Sequence, residues 1–229
     1  MKERHLPENC RETINTILKE TYGYEQFRNL EIYDDLSKGK EKLCISQGQL
    51  IENVILEAEK AWKGETQVDN ILLTAPTGSG KSLLFQLPAI YLGKEYNLLT
   101  IVVSPLKALI VDQVESLQEL GYMRVAYASS DLSPEQKMEV YRQVREGEID
   151  LFYLSPELLL SYDIKHFVGE RRIGLVVVDE AHTVTTWGKE FRVDYWFLGR
   201  YLTALKQTLG YNFPLFALTA TAVWNPKGG

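Results

Sequence analysis

The sequence has little cysteine and no long apolar run, and these two absences exclude several classes of protein. Cys10 and Cys44 are the only cysteines in 229 residues, and they form neither a zinc-ligand spacing nor a framework of disulfide bridges. No apolar run approaches the ~18 residues that a membrane-spanning helix needs. The amino terminus, MKERHLPENC, lacks the apolar stretch of a signal peptide. We therefore predict a soluble protein of the cytoplasm, with the bacterial cytoplasm or nucleoid as its place, reduced thiols and no membrane partner.

An excess of positive charge is also missing. Lys and Arg number 25 against 31 Asp and Glu, so the net charge is -6. This balance argues against a protein held to nucleic acid by bulk charge alone, but it does not exclude a local basic groove. Internal repeats and low-complexity tracts are absent as well, and 45% hydrophobic residues are enough to build a full core.

The chain divides into two parts by pattern. Residues 9–22 and 47–62 each carry one apolar face at helical spacing, and the charged segment 31–46 between them predicts irregular structure. We therefore assign residues 1–68 to a helical amino-terminal extension. Residues 69–229 form the second part, in which the pattern changes.

Six short apolar runs alternate with helical segments after residue 69. Such runs are typical of strands buried on both faces, and their alternation with helices predicts an α/β fold with a parallel sheet sandwiched between helices. One helix has a clear start, because Ser133, Pro134 and Gln136 suit an N-cap, the first helical position and a capping box. The runs are ILLTA, LLTIVVS, MRVAYAS, IDLFYLS, IGLVVVDE and FPLFALTA.

The segment after the first run has the chemistry of a phosphate-binding loop. APTGSGKS, residues 75–82, fits G-x-x-x-x-G-K-[ST] except that Ala75 replaces the first Gly. Glycines let successive backbone N–H groups face phosphate oxygens, and the next helix adds its positive end. Lys81 would reach the β- and γ-phosphates, and Ser82 would hold Mg²⁺. The alternative is a plain Gly-rich turn. The predicted nucleotide-binding residues are Thr77, Gly78, Ser79, Gly80, Lys81 and Ser82.

Two acids follow the fifth run. Asp179 is placed to hold Mg²⁺, and Glu180 to orient or deprotonate the water that attacks the γ-phosphate. A solvated strand end is the alternative for an isolated acid pair, but here a phosphate-loop pattern stands in the same chain. His182 is either a surface histidine or a link between the nucleotide site and a neighbouring segment. We predict Lys81, Asp179, Glu180 and His182 as the catalytic group.

Two further strand ends are candidates for contact with a nucleic-acid backbone. Ser104 and Lys107 stand at a predicted helix start in SPLKALIVDQ, and Ser155 stands at another in YLSPELL. Helix starts and lysines bind phosphates without reading sequence. The alternative at each position is a helix cap with a solvated lysine beside it.

The order and spacing of these blocks resemble the superfamily 2 helicases. APTGSGKS, SPLKAL, DEAH and TATA carry that resemblance, while DEAHTVTTWGKEFRVDY, SPLKALIVDQVESL and LFYLSPELLL resemble the RecQ DNA helicases in particular. The resemblance covers residues 22–222. It implies a RecA-like P-loop NTPase domain that uses ATP and Mg²⁺, acts on single-stranded or partly duplex DNA, and moves 3′-to-5′.

The aromatic stretch after the acids is the most specific part of the resemblance. In RecQ-like enzymes a loop of this pattern senses single-stranded DNA and couples it to ATP hydrolysis. Aromatic faces stack on bases of any sequence, and an arginine adds charge. The alternative is that the aromatics pack into the core. The predicted DNA-sensing residues are Trp187, Phe191, Arg192 and Tyr195.

The segment before the phosphate loop matches the RecQ pattern only in part. Tyr24 and Arg28 match, but the Gln expected three residues after Arg28 is missing, and a Gly-Gln pair ends instead at Gln49. We read the motif as split by an insertion, residues 29–46. The resemblance then implies that Gln49 reads the adenine edge and that Tyr24 or Arg28 stacks on the ring.

The chain stops soon after TATA, where the family continues into a second RecA-like domain. We therefore expect a first-half fragment that binds ATP weakly, hydrolyses it poorly and unwinds nothing without that second domain as its partner. Two other hypotheses stay open. One is a superfamily 2 translocase on duplex DNA or RNA in a defence or restriction system, and the other is a nucleotide-dependent interaction module without catalysis.

Overall fold

The structure, a computed structural model, describes residues 6–33, 42–75, 80–179 and 191–219. Within these ranges the chain forms helices and strands that alternate from residue 71 onward. The helices are α1 (Glu8–Tyr22), α2 (Gln47–Trp62), α3 (Leu83–Tyr96), α4 (Lys107–Glu119), α5 (Pro134–Arg145), α6 (Pro156–Ser161), α7 (Ile164–Val168) and α8 (Phe191–Leu209). The strands are β1 (Asn29–Tyr33), β2 (Lys42–Ser46), β3 (Ile71–Thr74), β4 (Leu99–Val103), β5 (Val125–Ala128), β6 (Leu151–Leu154), β7 (Ile173–Val178) and β8 (Leu215–Thr219).

The six predicted apolar runs form one parallel sheet, in the order β3-β8-β7-β4-β6-β5. All six residues of β7 and all five of β4 are buried. These two strands lie in the middle of the sheet with helices against both faces, which explains why neither shows an alternating polar pattern. The predicted α/β architecture is confirmed.

Successive residues of the central strands pack into two separate cores, because side chains alternate across a sheet. On one face, Val102 and Val177 join a cluster with the apolar sides of α1, α2, α3 and α4. On the other face, Val103 and Val178 join a cluster with α5, α7 and the later part of α8. The amino-terminal helices α1 and α2 therefore share a core with the sheet.

Residues 31–33 and 42–46 form strands, where the sequence predicted irregular structure. Asn29–Tyr33 and Lys42–Ser46 pair antiparallel in register, with Leu30 opposite Ile45. Leu30 is buried in the same core as α1 and α2. The high charge of this segment suggested a loop, but alternating apolar residues, of which Leu30 packs inward, are enough to form a hairpin.

Helix ends follow the chemistry of their sequences. The predicted capping box at the start of α5 is present, with both reciprocal hydrogen bonds between Ser133 and Gln136. In the part of the chain that the structure describes, no helix combines the length and apolar character required to cross a bilayer.

Candidate functional site

Ala75, the first residue of the phosphate-loop segment, directly follows β3 at its carboxyl end, where ligands bind in open parallel sheets. Lys81 is buried, and its Nζ donates to the carbonyl oxygen of Ala75 at 3.3 Å. Gly80 has a left-handed backbone with φ +79, and a Cβ there would lie 2.9 Å from Gln47 Nε2. The conformation therefore favours glycine, and a side chain here would also displace the end of the Gln47 side chain.

Asp179 stands at the carboxyl end of β7, separated from β3 only by β8. It is 4% exposed, and its backbone N–H donates to the carbonyl of Val103 at 2.9 Å. Its Oδ2 accepts a hydrogen bond from Gln113 Nε2 at 3.0 Å. Lys81 and Asp179 thus both lie at the carboxyl ends of strands of the same sheet.

Gln113 is in turn held by Tyr153, whose hydroxyl donates to Gln113 Oε1 at 2.9 Å. Tyr153 is fully buried in β6. Burial is the main cause that raises the pKa of the Tyr153 hydroxyl above its ordinary value. The phenol therefore stays protonated and remains a hydrogen-bond donor at neutral pH.

The residues present fit a magnesium nucleotide. A carboxylate at Asp179 and a hydroxyl at half-buried Ser82 are the hard oxygen ligands that Mg²⁺ prefers. Ser82 Oγ is not used to cap α3. Among the described residues no group of three or more His, Cys, Asp or Glu side chains could enclose a metal by itself. Mg²⁺ at nucleotide sites takes one or two protein ligands and completes its shell with phosphates and water.

The upstream motif is brought together by the β1–β2 hairpin. At its base, Gln47 N–H donates to the Arg28 carbonyl at 2.9 Å, and Arg28 N–H donates to Gln47 Oε1 at 3.0 Å. Because Arg28 and Gln47 are joined there, Gln49 stands three residues beyond Arg28 once the hairpin is left out. The structure thus places the two halves of the motif next to each other.

The three predicted base-binding residues lie on the surface around this junction. The Tyr24 ring is 45% exposed, and the Arg28 guanidinium lies over it at 5.4 Å. Gln49 is exposed and faces a hollow between α1 and α2 that Arg11 and Glu52 also line. Gln47, which sequence reasoning did not select, is the glutamine that meets Gly80 of the phosphate loop.

The predicted phosphate contacts of DNA are largely engaged within the protein. Ser104 is 1% exposed, so a DNA contact there requires that its hydroxyl be uncovered. Lys107 Nζ donates to Ser130 and, at 3.0 Å, to Asp131. The Lys107 hydrogen bond is the main cause that lowers the pKa of the Asp131 carboxyl. Ser155 caps α6 by accepting from Leu158 N–H at 3.2 Å.

The last three of the four predicted DNA-sensing residues fall in a helix rather than a loop. Phe191, Arg192 and Tyr195 occupy the first turns of α8. Phe191 and Tyr195 begin a stripe at helical spacing that continues through Leu198, Leu202 and Leu205, which explains the helix. Their side chains lie outside the described part of the structure. The other predicted site residues outside it are Thr77, Gly78, Ser79, Glu180, His182 and Trp187.

Gln113 is the functional candidate that sequence reasoning missed most clearly. It lies on α4 among the buried residues Ile110, Val114 and Leu117. A glutamine on an apolar helix face needs a buried partner, and this is the signal that could have identified it.

Comparison with known proteins places these features in a family. A model of the DEAD/DEAH box helicase family matches residues 50–227. The ATP-dependent DNA helicase RecQ of Synechocystis sp. is 35% identical over 217 residues, which cover 93% of this chain and 38% of that protein. RecQ of Bacillus subtilis is 32% identical over 207 residues, covering 90% of this chain and 29% of that protein. The chain thus spans well under half the length of either relative.

Solved helicase structures show the same fold. The DUF1998 helicase MrfA, in a crystal structure bound to DNA and AMPPNP, aligns with TM-score 0.59 and 22% identity over 98% of this chain and 28% of that one. The helicase domain of Pyrococcus furiosus Hef aligns with TM-score 0.51 and 23% identity, covering 79% of this chain and 35% of that one. At these identities the likeness concerns the fold alone, and it confirms the RecA-like arrangement of sheet and helices.

Proposed function

Because this chain belongs to the DEAD/DEAH box helicase family, we propose that it is the ATP-binding motor domain of a RecQ-like DNA helicase. In this proposal the whole protein couples ATP hydrolysis to 3′-to-5′ movement along single-stranded DNA and to strand separation. The observation that carries the proposal is the placement of buried Lys81 and buried Asp179 at the carboxyl edge of the sheet. The similarity to RecQ proteins over most of the chain supports the choice of branch.

The proposed nucleotide site assigns one task to each residue. In this proposal Lys81 exchanges the Ala75 carbonyl for the β- and γ-phosphates, and Thr77, Gly78, Ser79 and Gly80 would supply backbone N–H groups to the phosphate oxygens. Ser82 and Asp179 would hold Mg²⁺, which supplies charge neutralisation at the phosphates when it is bound. Glu180 orients the attacking water, and His182 links the site to its surroundings. Tyr24, Arg28 and Gln49 form the proposed adenine contact.

The proposed DNA path crosses the same edge of the sheet at other strand ends. Lys107 and Ser155 lie at the starts of α4 and α6, where helix N-termini favour phosphate. Asp131 competes for Lys107, so DNA binding would exchange one partner of this lysine for another. Ser104 lies beneath, and the aromatic segment at Trp187, with the start of α8, would supply the stacking surface.

The test is the ATPase rate of the natural protein at its full length, with and without single-stranded DNA. We expect DNA to stimulate the wild type strongly and Trp187→Ala to lose most of the stimulation, because one stacked base contributes about 1–3 kcal/mol. Lys81→Ala should weaken ATP binding at least about tenfold, the factor that corresponds to ~1.4 kcal/mol. Lys94→Ala is the matched control, since Lys94 is an exposed lysine on α3.

Other outcomes would replace the proposal. Stimulation by duplex DNA or RNA in place of single-stranded DNA would indicate a translocase of another branch. ATP binding without turnover under any condition would indicate a nucleotide-dependent interaction module. Unchanged ATP affinity in Lys81→Ala would show that the phosphate-loop segment does not bind the nucleotide.

A further inference from the structure

A chain of polar side chains crosses the core between α1 and the strand-end acid. Tyr22 Oη donates to Gln86 Oε1 at 3.3 Å, and Gln86 Nε2 donates to Tyr153 Oη at 3.2 Å. Tyr153 Oη donates to Gln113 Oε1 at 2.9 Å, and Gln113 Nε2 donates to Asp179 Oδ2 at 3.0 Å. These four side chains, Tyr22, Gln86, Tyr153 and Gln113, are called the relay below.

The hydrogen bonds of the relay can run from donor to acceptor in only one direction, toward Asp179. An ionised carboxylate is an acceptor only, so Gln113 must present its NH₂ to Asp179 and its carbonyl oxygen to Tyr153. Tyr153 must then use its single proton on Gln113 and accept from Gln86. The same reasoning makes Tyr22 a donor to Gln86. Every proton therefore points toward Asp179, which strengthens the last hydrogen bond because each dipole polarises the next.

The relay lies in the protein core, where burying apolar side chains would cost less free energy than burying these polar ones. Gln86, Gln113 and Asp179 are each 9% exposed or less, and Tyr153 is fully buried. Burying a polar group costs about 1–3 kcal/mol unless it is hydrogen-bonded, so a bonded amide here contributes little net stability over a leucine. What Gln113 supplies that a leucine cannot is a donor at a fixed point beside one carboxylate oxygen.

We propose that Gln113 is the positioning residue of Asp179 and that Tyr153, Gln86 and Tyr22 hold its amide in the required orientation. The proposal rests on the nucleotide site proposed above. With Oδ2 held by Gln113, the carboxylate is restrained to one orientation before any metal binds. A ligand that is already oriented does not lose rotational freedom when the metal binds.

The far end of the relay lies beside the proposed adenine contact. The rings of Tyr22 and Tyr24 are stacked, 6.5 Å apart with an interplanar angle of 14°. The Arg28 guanidinium lies 5.4 Å from the centre of the Tyr24 ring. The relay therefore connects the base end of the nucleotide site to the acid at its phosphate end, through helices α3 and α4 and strand β6.

The test separates metal binding from nucleotide binding in the wild-type chain and in Gln113→Leu. Binding of a fluorescent ATP analogue is measured against Mg²⁺ and Mn²⁺ concentration, and again in EDTA. We expect the metal concentration for half-maximal binding to rise about tenfold, the effect of losing a hydrogen bond to a charged group. Affinity in EDTA should stay within about twofold, because the nucleotide contacts themselves are intact.

Two further variants keep the test independent of folding defects. Gln118→Leu is the matched control, because Gln118 lies on the same helix but lines the groove beside β5 instead of the acid; its metal dependence should equal that of the wild type. Tyr153→Phe keeps the buried ring and removes its hydroxyl, so Gln113 loses the donor that orients it and Gln86 loses an acceptor. We expect a smaller shift in the same direction, about threefold. Thermal unfolding of each variant without nucleotide or metal reports any loss of fold.

The outcomes distinguish this proposal from the one on which it rests. No metal-dependent nucleotide binding by the wild type would contradict the proposed nucleotide site. Metal-dependent binding in the wild type with an unchanged metal requirement in Gln113→Leu would overturn the positioning role and leave the site standing. An equal loss of affinity with metal and in EDTA would show that Gln113 only supports the fold.

Discussion

At the scale of single residues, Gly80 is constrained twice. Its φ of +79 lies in the left-handed region, and a Cβ would approach Gln47 Nε2 to 2.9 Å. Gly64 has nearly the same backbone, φ +81, but open space around its missing side chain. The two glycines therefore differ in crowding while sharing a conformation.

This pair gives a matched prediction. Gly64→Ala should lower the free energy of unfolding by about 1–2 kcal/mol, the cost of a left-handed side chain. Gly80→Ala should cost more than Gly64→Ala, and it should also weaken ATP binding because Gln47 and the loop must move apart. Denaturant unfolding without nucleotide measures the first effect, and nucleotide titration measures the second. If Gly80→Ala and Gly64→Ala lowered the free energy of unfolding equally, the Gln47 side chain would be able to move aside at no energetic cost.

The residue scale also separates two glutamines that the sequence places close together. Gln47 is buried and bonded to the Arg28 backbone, whereas Gln49 is exposed. The resemblance to RecQ helicases selects Gln49, and the contact with Gly80 selects Gln47 as the glutamine against the phosphate loop. The two roles are compatible. Gln49 would contact the base, whereas Gln47 contacts the backbone of Arg28 and lies against Gly80.

At the scale of elements, the start of α5 depends on local chemistry. Ser133 Oγ accepts from Gln136 N–H at 3.2 Å, and Ser133 N–H donates to Gln136 Oε1 at 2.8 Å. Pro134 occupies the first helical position, where no N–H is needed. These groups satisfy the helix end without help from the rest of the protein.

We expect Ser133→Ala to lower the free energy of unfolding by about 1 kcal/mol, the usual cost of losing an N-cap. Ser116→Ala is the control, since Ser116 is an exposed serine inside α4 and alanine favours a helix. Denaturant unfolding compares the two. A cost in Ser116→Ala as large as that in Ser133→Ala would show that the cap is not the cause.

The base of the β1–β2 hairpin holds the chain segments before and after it together. Its first and last residues, Asn29 and Ser46, are paired, and Arg28 meets Gln47 directly beyond them. An insertion that begins and ends at one point leaves the spacing of the flanking segments intact. On our proposal that residues 29–46 are inserted into the upstream motif, the bonded pair Arg28 and Gln47 keeps the flanking segments adjacent.

At the scale of the whole molecule, the carboxyl and amino ends of the parallel strands carry different groups of polar residues. The carboxyl edge carries the proposed nucleotide site, and the amino edge carries a buried ion pair. Asp150 accepts from Arg171 at 2.9 Å and from Arg124 at 2.7 Å, and Tyr122 Oη also donates to it at 2.9 Å. Asp150 and Arg171 are 2% and 8% exposed. Burial is the main cause that lowers the pKa of the Arg171 guanidinium.

We expect Asp150→Asn to lower the free energy of unfolding by about 3–5 kcal/mol, because it leaves Arg171 buried without its counter-charge. Nucleotide affinity of the folded protein should be unchanged, since this cluster lies at the opposite edge of the sheet. Glu139→Gln is the control, because Glu139 pairs with Arg142 on the exposed face of α5. That change should leave stability nearly unaltered. A loss of nucleotide affinity in folded Asp150→Asn would show that the two edges are coupled.

The sequence by itself determined the sheet, the helix that Ser133 caps and the place where chemistry is concentrated. Six continuous apolar runs predict parallel strands because both faces of such strands are buried, and strand ends then meet at one edge. Lys81 and Asp179 could be selected for this reason. The hairpin at 29–46 could not, because its charge concealed the few apolar residues that dock it.

Only the tertiary structure decided which polar residues meet. Tyr22, Gln86, Gln113 and Tyr153 come from four different elements, and no spacing along the chain predicts that they form one relay to Asp179. The same holds for Gln47 against Gly80 and for Asp131 against Lys107. Periodicity reports which face of an element is buried, whereas the partner across the core depends on how the elements pack.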